Sequence, residues 1–261
     1  MRACRSLCKL ALAISAVACH EAIAFGDLLL IEAPPTTATL AIGPSLWSLP
    51  RFPGARNNQT TAIVGIDYVH PSGLFLSTDT GAGWNFSSSK DLQAGLRLWP
   101  QLARRQADVP RGIGAIGARL QAEAFLNYAP LPVLLLQSGL LRGSGHHHDG
   151  VKAEFGVTSG LPIGADLLGI GLAASYANQA YRQDYFGVSA AESQASGLAV
   201  QRMSAGWQDI SLTFSGEHRF SDRWHAQAQL ILARLARPAF DSPLATSRRQ
   251  VAGTMTLWRD F

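Results

Sequence analysis

The chain has 261 residues, of which 47% are hydrophobic, and it carries 22 Lys and Arg against 18 Asp and Glu. This length is compatible with a single large domain. The three cysteines, Cys4, Cys8 and Cys19, all lie near the N-terminus, so residues 25–261 offer neither a disulfide framework nor a thiolate metal site. The sequence contains no Lys/Arg run and no basic stripe interleaved with aromatic residues. It therefore predicts no binding of nucleic acid.

The first 24 residues have the pattern of a secretory signal peptide. Three basic residues precede and flank an uncharged apolar stretch, Leu10–Ala18, and the small-x-small pattern Ala22–Ala24 follows it. We expect cleavage after Ala24, export through the Sec pathway, and a mature domain of residues 25–261. An uncleaved anchor and a lipoprotein modified at Cys19 are the alternatives.

Strict alternation of apolar and polar residues then recurs along the chain. Between Asp209 and Phe220, for example, every second residue except His218 is apolar or small, and a period of two predicts a β-strand with one apolar and one polar face. Eleven such segments lie at roughly residues 36–46, 60–69, 73–86, 92–100, 119–129, 131–143, 149–161, 166–177, 206–220, 223–236 and 247–261.

The direction of the polar face separates two fold classes. A soluble β-sandwich buries its apolar face, whereas an outer-membrane barrel turns that face to lipid and lines its interior with polar residues. Because the segments are longer than the roughly 5–6 residues of ordinary soluble strands and are joined by very short turns, we favour an all-β, transmembrane antiparallel β-barrel.

This fold assigns a direction to each alternating side chain. The charged residues predicted to face the lumen are Arg97, Lys152, Glu154, Glu217 and Arg219. We favour a plug of the interior linked by ion pairs over a pathway for substrate. Apolar residues are predicted to face lipid: Val151, Phe155, Ile210, Leu212, Phe214, Leu230 and Leu232. Most of the tryptophans lie near predicted strand ends, as in the aromatic girdles at membrane interfaces, and core packing is the alternative interpretation. The six tryptophans are Trp47, Trp84, Trp99, Trp207, Trp224 and Trp258.

The strand count needs one correction, because bacterial single-chain barrels have an even number of strands. Either Asp27–Ala33 forms a short first strand, or residues 73–86 divide at Gly81-Ala82-Gly83. Both repairs give about twelve strands, and ten is possible if one segment is a loop strand.

Connections differ in length at the two ends of the predicted barrel. Short turns are expected at Ser221-Asp222, at Ala129-Pro130 and at residues 162–165, whereas residues 102–118, 143–150, 178–205 and 238–246 form longer loops. Outer-membrane barrels have short periplasmic turns and longer extracellular loops. The sequence therefore predicts which end faces the periplasm.

One loop contains a possible metal-binding cluster, His146, His147 and His148 followed by Asp149. Imidazole and carboxylate groups bind zinc, copper or nickel, but a solvated polar loop is the favoured interpretation. Asp184, Asp209 and Asp241 could meet His147 only through long-range folding. There is no Gly-x-Ser-x-Gly or His-Glu-x-x-His motif, so we predict no enzymatic activity and no cofactor.

The last strand ends in an aromatic residue, Phe261. A terminal aromatic on an amphipathic last strand is similar to the signal that barrel-assembly machinery recognises. Arg259 departs from that pattern, yet an Arg near the interface costs only about 0–1 kcal/mol.

Several modest motifs over nearly the whole mature chain resemble the MipA/OmpV family of MltA-interacting outer-membrane proteins. The motifs are Ile42-Gly43-Pro44, Leu49-Pro50-Arg51-Phe52-Pro53-Gly54, Gly73-Leu74-Phe75-Leu76-Ser77, Gly81-Ala82-Gly83-Trp84-Asn85-Phe86, Arg111-Gly112-Ile113-Gly114, Asp184-Tyr185-Phe186-Gly187-Val188, Ala195-Ser196-Gly197-Leu198 and Asp241-Ser242-Pro243-Leu244. The departures are residues 102–110, which lack the expected acidic character, and Arg259.

The resemblance implies an outer-membrane barrel of a Gram-negative cell envelope, in contact with outer-membrane lipid. It also implies a scaffold that brings a murein-cleaving lytic transglycosylase together with a penicillin-binding protein at the peptidoglycan. A small-solute channel and an outer-membrane hydrolase are the other functions that we consider.

Overall fold

A computed structural model describes residues 33–101 and 103–261 of the chain. The predicted signal peptide and its cleavage site at Ala24 lie outside the described residues. The described chain is a closed, antiparallel, twelve-stranded barrel in which sequential strands are neighbours and β1 pairs with β12, so the predicted fold class is confirmed. The strands are β1 Thr39–Pro50, β2 Asn58–Val69, β3 Leu74–Ser77, β4 Gly81–Asn85, β5 Leu92–Pro100, β6 Leu120–Leu131, β7 Leu134–Ser144, β8 Gly150–Ile163, β9 Asp166–Ala177, β10 Gly206–Ser221, β11 Trp224–Leu235 and β12 Arg249–Asp260.

Division of the predicted segment 73–86 explains why eleven strands become twelve. Strands β3 and β4 form a short hairpin whose connection, residues 78–80, precedes Gly81. Gly81 has a φ of +82°, a conformation that glycine adopts without a steric penalty. The structure therefore supports the second of the two predicted repairs.

The barrel closes where β1 meets β12. The register pairs Ala41 with Asp260 and Ser45 with Thr256, whose hydroxyl oxygens lie 2.6 Å apart. Between these pairs, a Cβ atom on Gly43 would lie 1.7 Å from the Leu257 carbonyl oxygen. Only a residue without a side chain allows the two strands to approach this closely, so Gly43 is required for the observed seam.

The two ends of the barrel differ, as the sequence predicts. One end has the short connections 70–73, 86–91, 132–133, 164–165 and 222–223, together with the start of β1 and the end of β12; we call it the short-turn end. The opposite, loop end carries residues 51–57, 78–80, 101–119, 145–149, 178–205 and 236–248. In outer-membrane barrels the short turns face the periplasm.

One predicted turn is wrong in position. Ala129-Pro130 lies inside β6, and the turn follows at residues 132–133. Pairing between β6 and β7 is irregular between Tyr128 and Leu131, and a bulge of this kind accommodates a proline that has no N–H to donate to the ladder.

The long loop between β9 and β10 contains two short helices, α1 Gln179–Phe186 and α2 Ala190–Ser196. Neither helix in the described part of the chain has the length and apolar character needed to cross a membrane. Tyr181, Tyr185 and Phe186 of α1 are buried against Ile116, Met203 and Leu235, so α1 packs into the loop end of the barrel.

Candidate functional site

Buried charged residues lie in the interior of the barrel, in the half towards the loop end. Arg97 on β5 lies directly opposite Glu123 on β6, and its Nε and Nη2 atoms donate hydrogen bonds of 2.7–2.9 Å to both carboxylate oxygens. Only 2% of the Arg97 side chain and 1% of the Glu123 side chain are exposed. A bidentate pair of this kind fixes both side chains and neutralises both charges.

A second charged pair lies in the same row of the barrel, since Leu141 pairs with both Glu123 and Lys152 in the strand register. Lys152 and Glu154 are two residues apart on β8, face the interior and form an ion pair. The Lys152 ammonium also lies 5.9 Å from the ring centroid of Tyr181 on α1, within the range of a cation–π contact. Asp209 is buried beside this group, at a bulge of β10 between Trp207 and Asp209.

The loop end is covered by hydrogen-bonded loops. The guanidinium of Arg104 is 1% exposed and donates 2.9 Å hydrogen bonds to the carbonyl oxygens of Tyr185 and Gly114. Ser242 Oγ donates to the Phe186 carbonyl oxygen at 2.5 Å. Burial raises the pKa of the Tyr181 phenol to about 12. These hydrogen bonds therefore join two other loops, residues 101–119 and 236–248, to α1 and form a cap at the loop end.

The short-turn end carries charged residues that remain accessible. Arg219 lies 3.3 Å from Glu217 and 3.1 Å from Asp260, and His225 Nδ1 lies 3.4 Å from Asp260. The Arg219 and Asp260 side chains are 43% and 34% exposed. We call Glu217, Arg219, His225 and Asp260 the short-turn mouth cluster.

All five residues predicted to face the lumen occupy inward positions, but in two environments. Arg97, Lys152 and Glu154 are buried, whereas Glu217 and Arg219 lie in the short-turn mouth cluster. Glu123 was not among the predicted site residues, although alternation along β6 put it on the polar face. The location of Asp209 depends on a bulge that the period of two does not reveal.

The predicted lipid-facing residues lie on the outer wall of the barrel. Five are substantially exposed: Phe155, Ile210, Phe214, Leu230 and Leu232. Leu212 and Val151 occupy outward positions and are half-buried. For the tryptophans the girdle interpretation is wrong at three positions, because Trp47, Trp99 and Trp258 face inward. Trp99 and Trp258 are 4% and 1% exposed.

The three adjacent histidines do not converge on one point. Their loop instead brings His147 to Asp149 and Asp184, whose ligand atoms all lie within 4.8 Å of one another. His148 lies 3.0 Å from Arg119 and has a φ of +61°. Of the aspartates that the sequence left open, Asp184 therefore meets His147, and no spacing in the sequence indicates this. One imidazole and two carboxylates could hold a divalent cation.

The departure at Arg259 has a structural explanation. Its guanidinium carbon lies 4.9 Å from the ring centroid of Phe261 and 5.8 Å from that of Trp224, all near the short-turn end. Cation–π contacts at a membrane interface stabilise an outward arginine. The irregular residue is thus accommodated by the terminal aromatic.

Comparison with known proteins links the chain to one family. The family model described as "MltA-interacting protein MipA" matches residues 42–261. No curated protein matches the chain.

Several solved structures are similar in fold at low identity. An outer-membrane channel from Pseudomonas putida F1 shares 11% identity, with coverage of 88% of this chain and 97% of that chain and a TM-score of 0.42. OccK11 (OpdR) from Pseudomonas aeruginosa shares 8%, with coverage of 90% and 99% and a TM-score of 0.35. Ail, the attachment invasion locus protein of Yersinia pestis, shares 8%, with coverage of 86% and 97% and a TM-score of 0.23. Likeness at this level carries no functional argument.

Proposed function

Because the family model spans residues 42–261, the chain belongs to the MltA-interacting protein MipA family, and we propose that it is a non-enzymatic scaffold for murein-remodelling enzymes. The family and the closed barrel make it an outer-membrane protein. We further propose that the short-turn end binds a lytic transglycosylase at the peptidoglycan. A penicillin-binding protein would bind either to that enzyme or to the barrel next to it.

The observation that supports this role is the contrast between the two ends. At the loop end, α1 and two other loops bury Tyr181, Tyr185 and Arg104. At the short-turn end, Arg219 and Asp260 remain accessible. A partner in the periplasm would meet charged, exposed groups, whereas the loop end presents a closed cap. Exposed charges of both signs favour specificity and rapid association in protein complexes.

The paired interior charges favour a plug over a channel. Arg97 and Glu123 are bound to each other and buried, and so are Lys152 and Glu154, so these charges are not free to guide a solute. The name of the family supplies the class of partner, since it describes a protein that interacts with the murein enzyme MltA.

Capture of a purified lytic transglycosylase by the folded barrel in detergent tests the proposal. We expect the R219A/D260A variant to bind at least about tenfold more weakly, since charge-assisted contacts contribute roughly 1.5–3 kcal/mol each. R237A is the matched control, because Arg237 forms an exposed pair with Asp241 at the loop end. Binding that is unchanged in R219A/D260A, or reduced equally in R237A, would contradict a short-turn docking surface.

Planar-bilayer recordings test the channel separately. We expect no discrete conductance steps from the wild-type protein. Steps that are altered by R97A or R219A would overturn the scaffold proposal in favour of a small-solute channel.

A further inference from the structure

A groove lies on the outer wall of the barrel, close to the loop end. Its volume is about 410 Å³, and its lining includes Ala174, Trp207, Ile210, Arg234 and Arg248. Ala174, Ile210 and Arg234 are aligned across β9, β10 and β11 by the strand register. They occupy outward positions, so the groove opens toward the membrane and not toward the lumen.

The side of the groove formed by β9 and β10 is apolar and aromatic. Trp207 and Ile210 are 55% and 48% exposed. Trp207 packs edge-on against Tyr176, with ring centroids 5.7 Å apart and an interplanar angle of 87°. Exposed aromatic rings at a strand end are typical of the boundary between acyl chains and headgroups. The groove therefore has the chemistry of an acyl-chain binding site at the interface.

Arginines border the other side of the groove, with Arg234 and Arg248 in its lining and Arg249 beside them. Arg234 on β11 lies directly opposite Arg249 on β12, and both are exposed on the outward face. Arg248 is fixed beside them, since its Nε donates to the Leu235 carbonyl oxygen at 3.4 Å and its guanidinium lies 5.2 Å from the Phe240 ring centroid.

These arginines have no anionic partner in the part of the chain that the structure describes. Among the described residues, no carboxylate forms an ion pair with Arg234, Arg248 or Arg249. Asp209 also borders the groove, but its side chain is 3% exposed and belongs to the interior group with Lys152. Like charges directly opposite each other on neighbouring strands are destabilising. An anion held between Arg234 and Arg249 would remove this repulsion.

We propose that the Trp207–Arg234–Arg249 groove binds a phosphorylated glycolipid of the outer leaflet. Its phosphate would be held by Arg234 and Arg249, whose guanidinium groups match phosphate geometry bidentately. One of its acyl chains would lie against Ile210 and Trp207. The loop end faces the cell exterior when the short turns face the periplasm, so the groove meets the leaflet that contains this lipid. The proposal does not depend on a scaffold role.

Native mass spectrometry of the full-length folded protein, released from zwitterionic detergent, tests this site. The probes are bisphosphorylated hexa-acyl lipid A, the same lipid without its phosphates, and inorganic phosphate. We expect a stable adduct with the bisphosphorylated lipid only. We expect the R234Q/R249Q variant to bind this lipid at least about tenfold more weakly, because charge-assisted hydrogen bonds to phosphate are strong.

Arg142 provides the matched control. It is an exposed, outward arginine near the loop end of β7, opposite Ala122 and Val151 and away from the groove. R142Q should bind lipid A within about twofold of wild type if the site is local, since general attraction of lipid phosphates to basic residues would affect both variants alike.

Heat-modifiable gel migration shows whether each variant is folded, and the single R234Q variant replaces the double one if the latter does not fold. Equal binding of the dephosphorylated lipid would overturn the proposal, because the arginines would then contribute nothing. An equal loss in R142Q would overturn it by showing no local site. Binding of inorganic phosphate alone would also overturn it, in favour of a free-anion site.

Discussion

The burial of the ion pair between Arg97 and Glu123 can be tested by measuring how much the free energy of unfolding falls when one partner is removed. The Glu123→Leu substitution removes the carboxylate and leaves the Arg97 charge inside the barrel, where its side chain is 2% exposed. Removing one partner of a buried ion pair costs about 3–5 kcal/mol, because the remaining charge is neither paired nor hydrated. We therefore expect the free energy of unfolding to fall by about this amount.

Glu217→Leu is the control, because Glu217 pairs with Arg219 at the short-turn mouth, where the side chains are 11% and 43% exposed. Arg219 keeps Asp260 as a second partner and remains accessible to water. Exposed pairs contribute about 0–1 kcal/mol, so this variant should lose little stability.

Urea unfolding of the barrel reconstituted in phosphocholine vesicles measures both variants. The double variant R97M/E123L should recover most of the loss, since apolar replacement of a buried pair is often neutral. If Glu123→Leu and Glu217→Leu differ by less than about 1 kcal/mol, or if the double variant is as unstable as Glu123→Leu, then Arg97 reaches water and the interior is not closed.

Two further predictions concern the seam and the loop end. Gly43→Ala should prevent formation of a heat-modifiable barrel, because its Cβ would lie 1.7 Å from the Leu257 carbonyl oxygen. Gly216→Ala, whose Cβ would meet nothing nearer than 3.6 Å, should fold normally, and equal migration of the two variants would contradict the seam argument. Burial opposes ionisation of Glu192, but hydrogen bonds from Ser189 outweigh it and lower the pKa of this carboxyl. Because the folded pKa lies below the unfolded value of about 4.3, this stabilisation is present above that pH and is lost as the pH falls through the folded pKa. Hydrogen exchange of α2, corrected for intrinsic rates, should therefore increase at low pH in the wild type, while the E192Q variant should show a smaller change.

Local sequence was sufficient for the architecture. A period of two determines which side chains can share a face, so the outward position of Ile210 and the inward position of Arg97 followed from alternation alone. Turn residues and segment lengths gave the asymmetry of the two ends. The predicted count of about twelve strands is confirmed, and the turn at residues 78–80 divides the one periodic segment that contains two strands.

Features that join distant parts of the chain required the tertiary structure. The pairing of Arg97 with Glu123 depends on strand register, and the approach of Asp184 to His147 depends on how two loops fold over the barrel. The bulge at Trp207 and Asp209 and the burial of α1 are also invisible to a local period. Alternation constrains the direction of a side chain but not its partner, because contacts between strands and loops are set by register and by packing across the closed barrel. The sequence alone therefore determined an outer-membrane barrel with named inner and outer faces, whereas only the tertiary structure decided that buried ion pairs occupy part of its interior, that its loop end is capped, and that three arginines border an apolar groove.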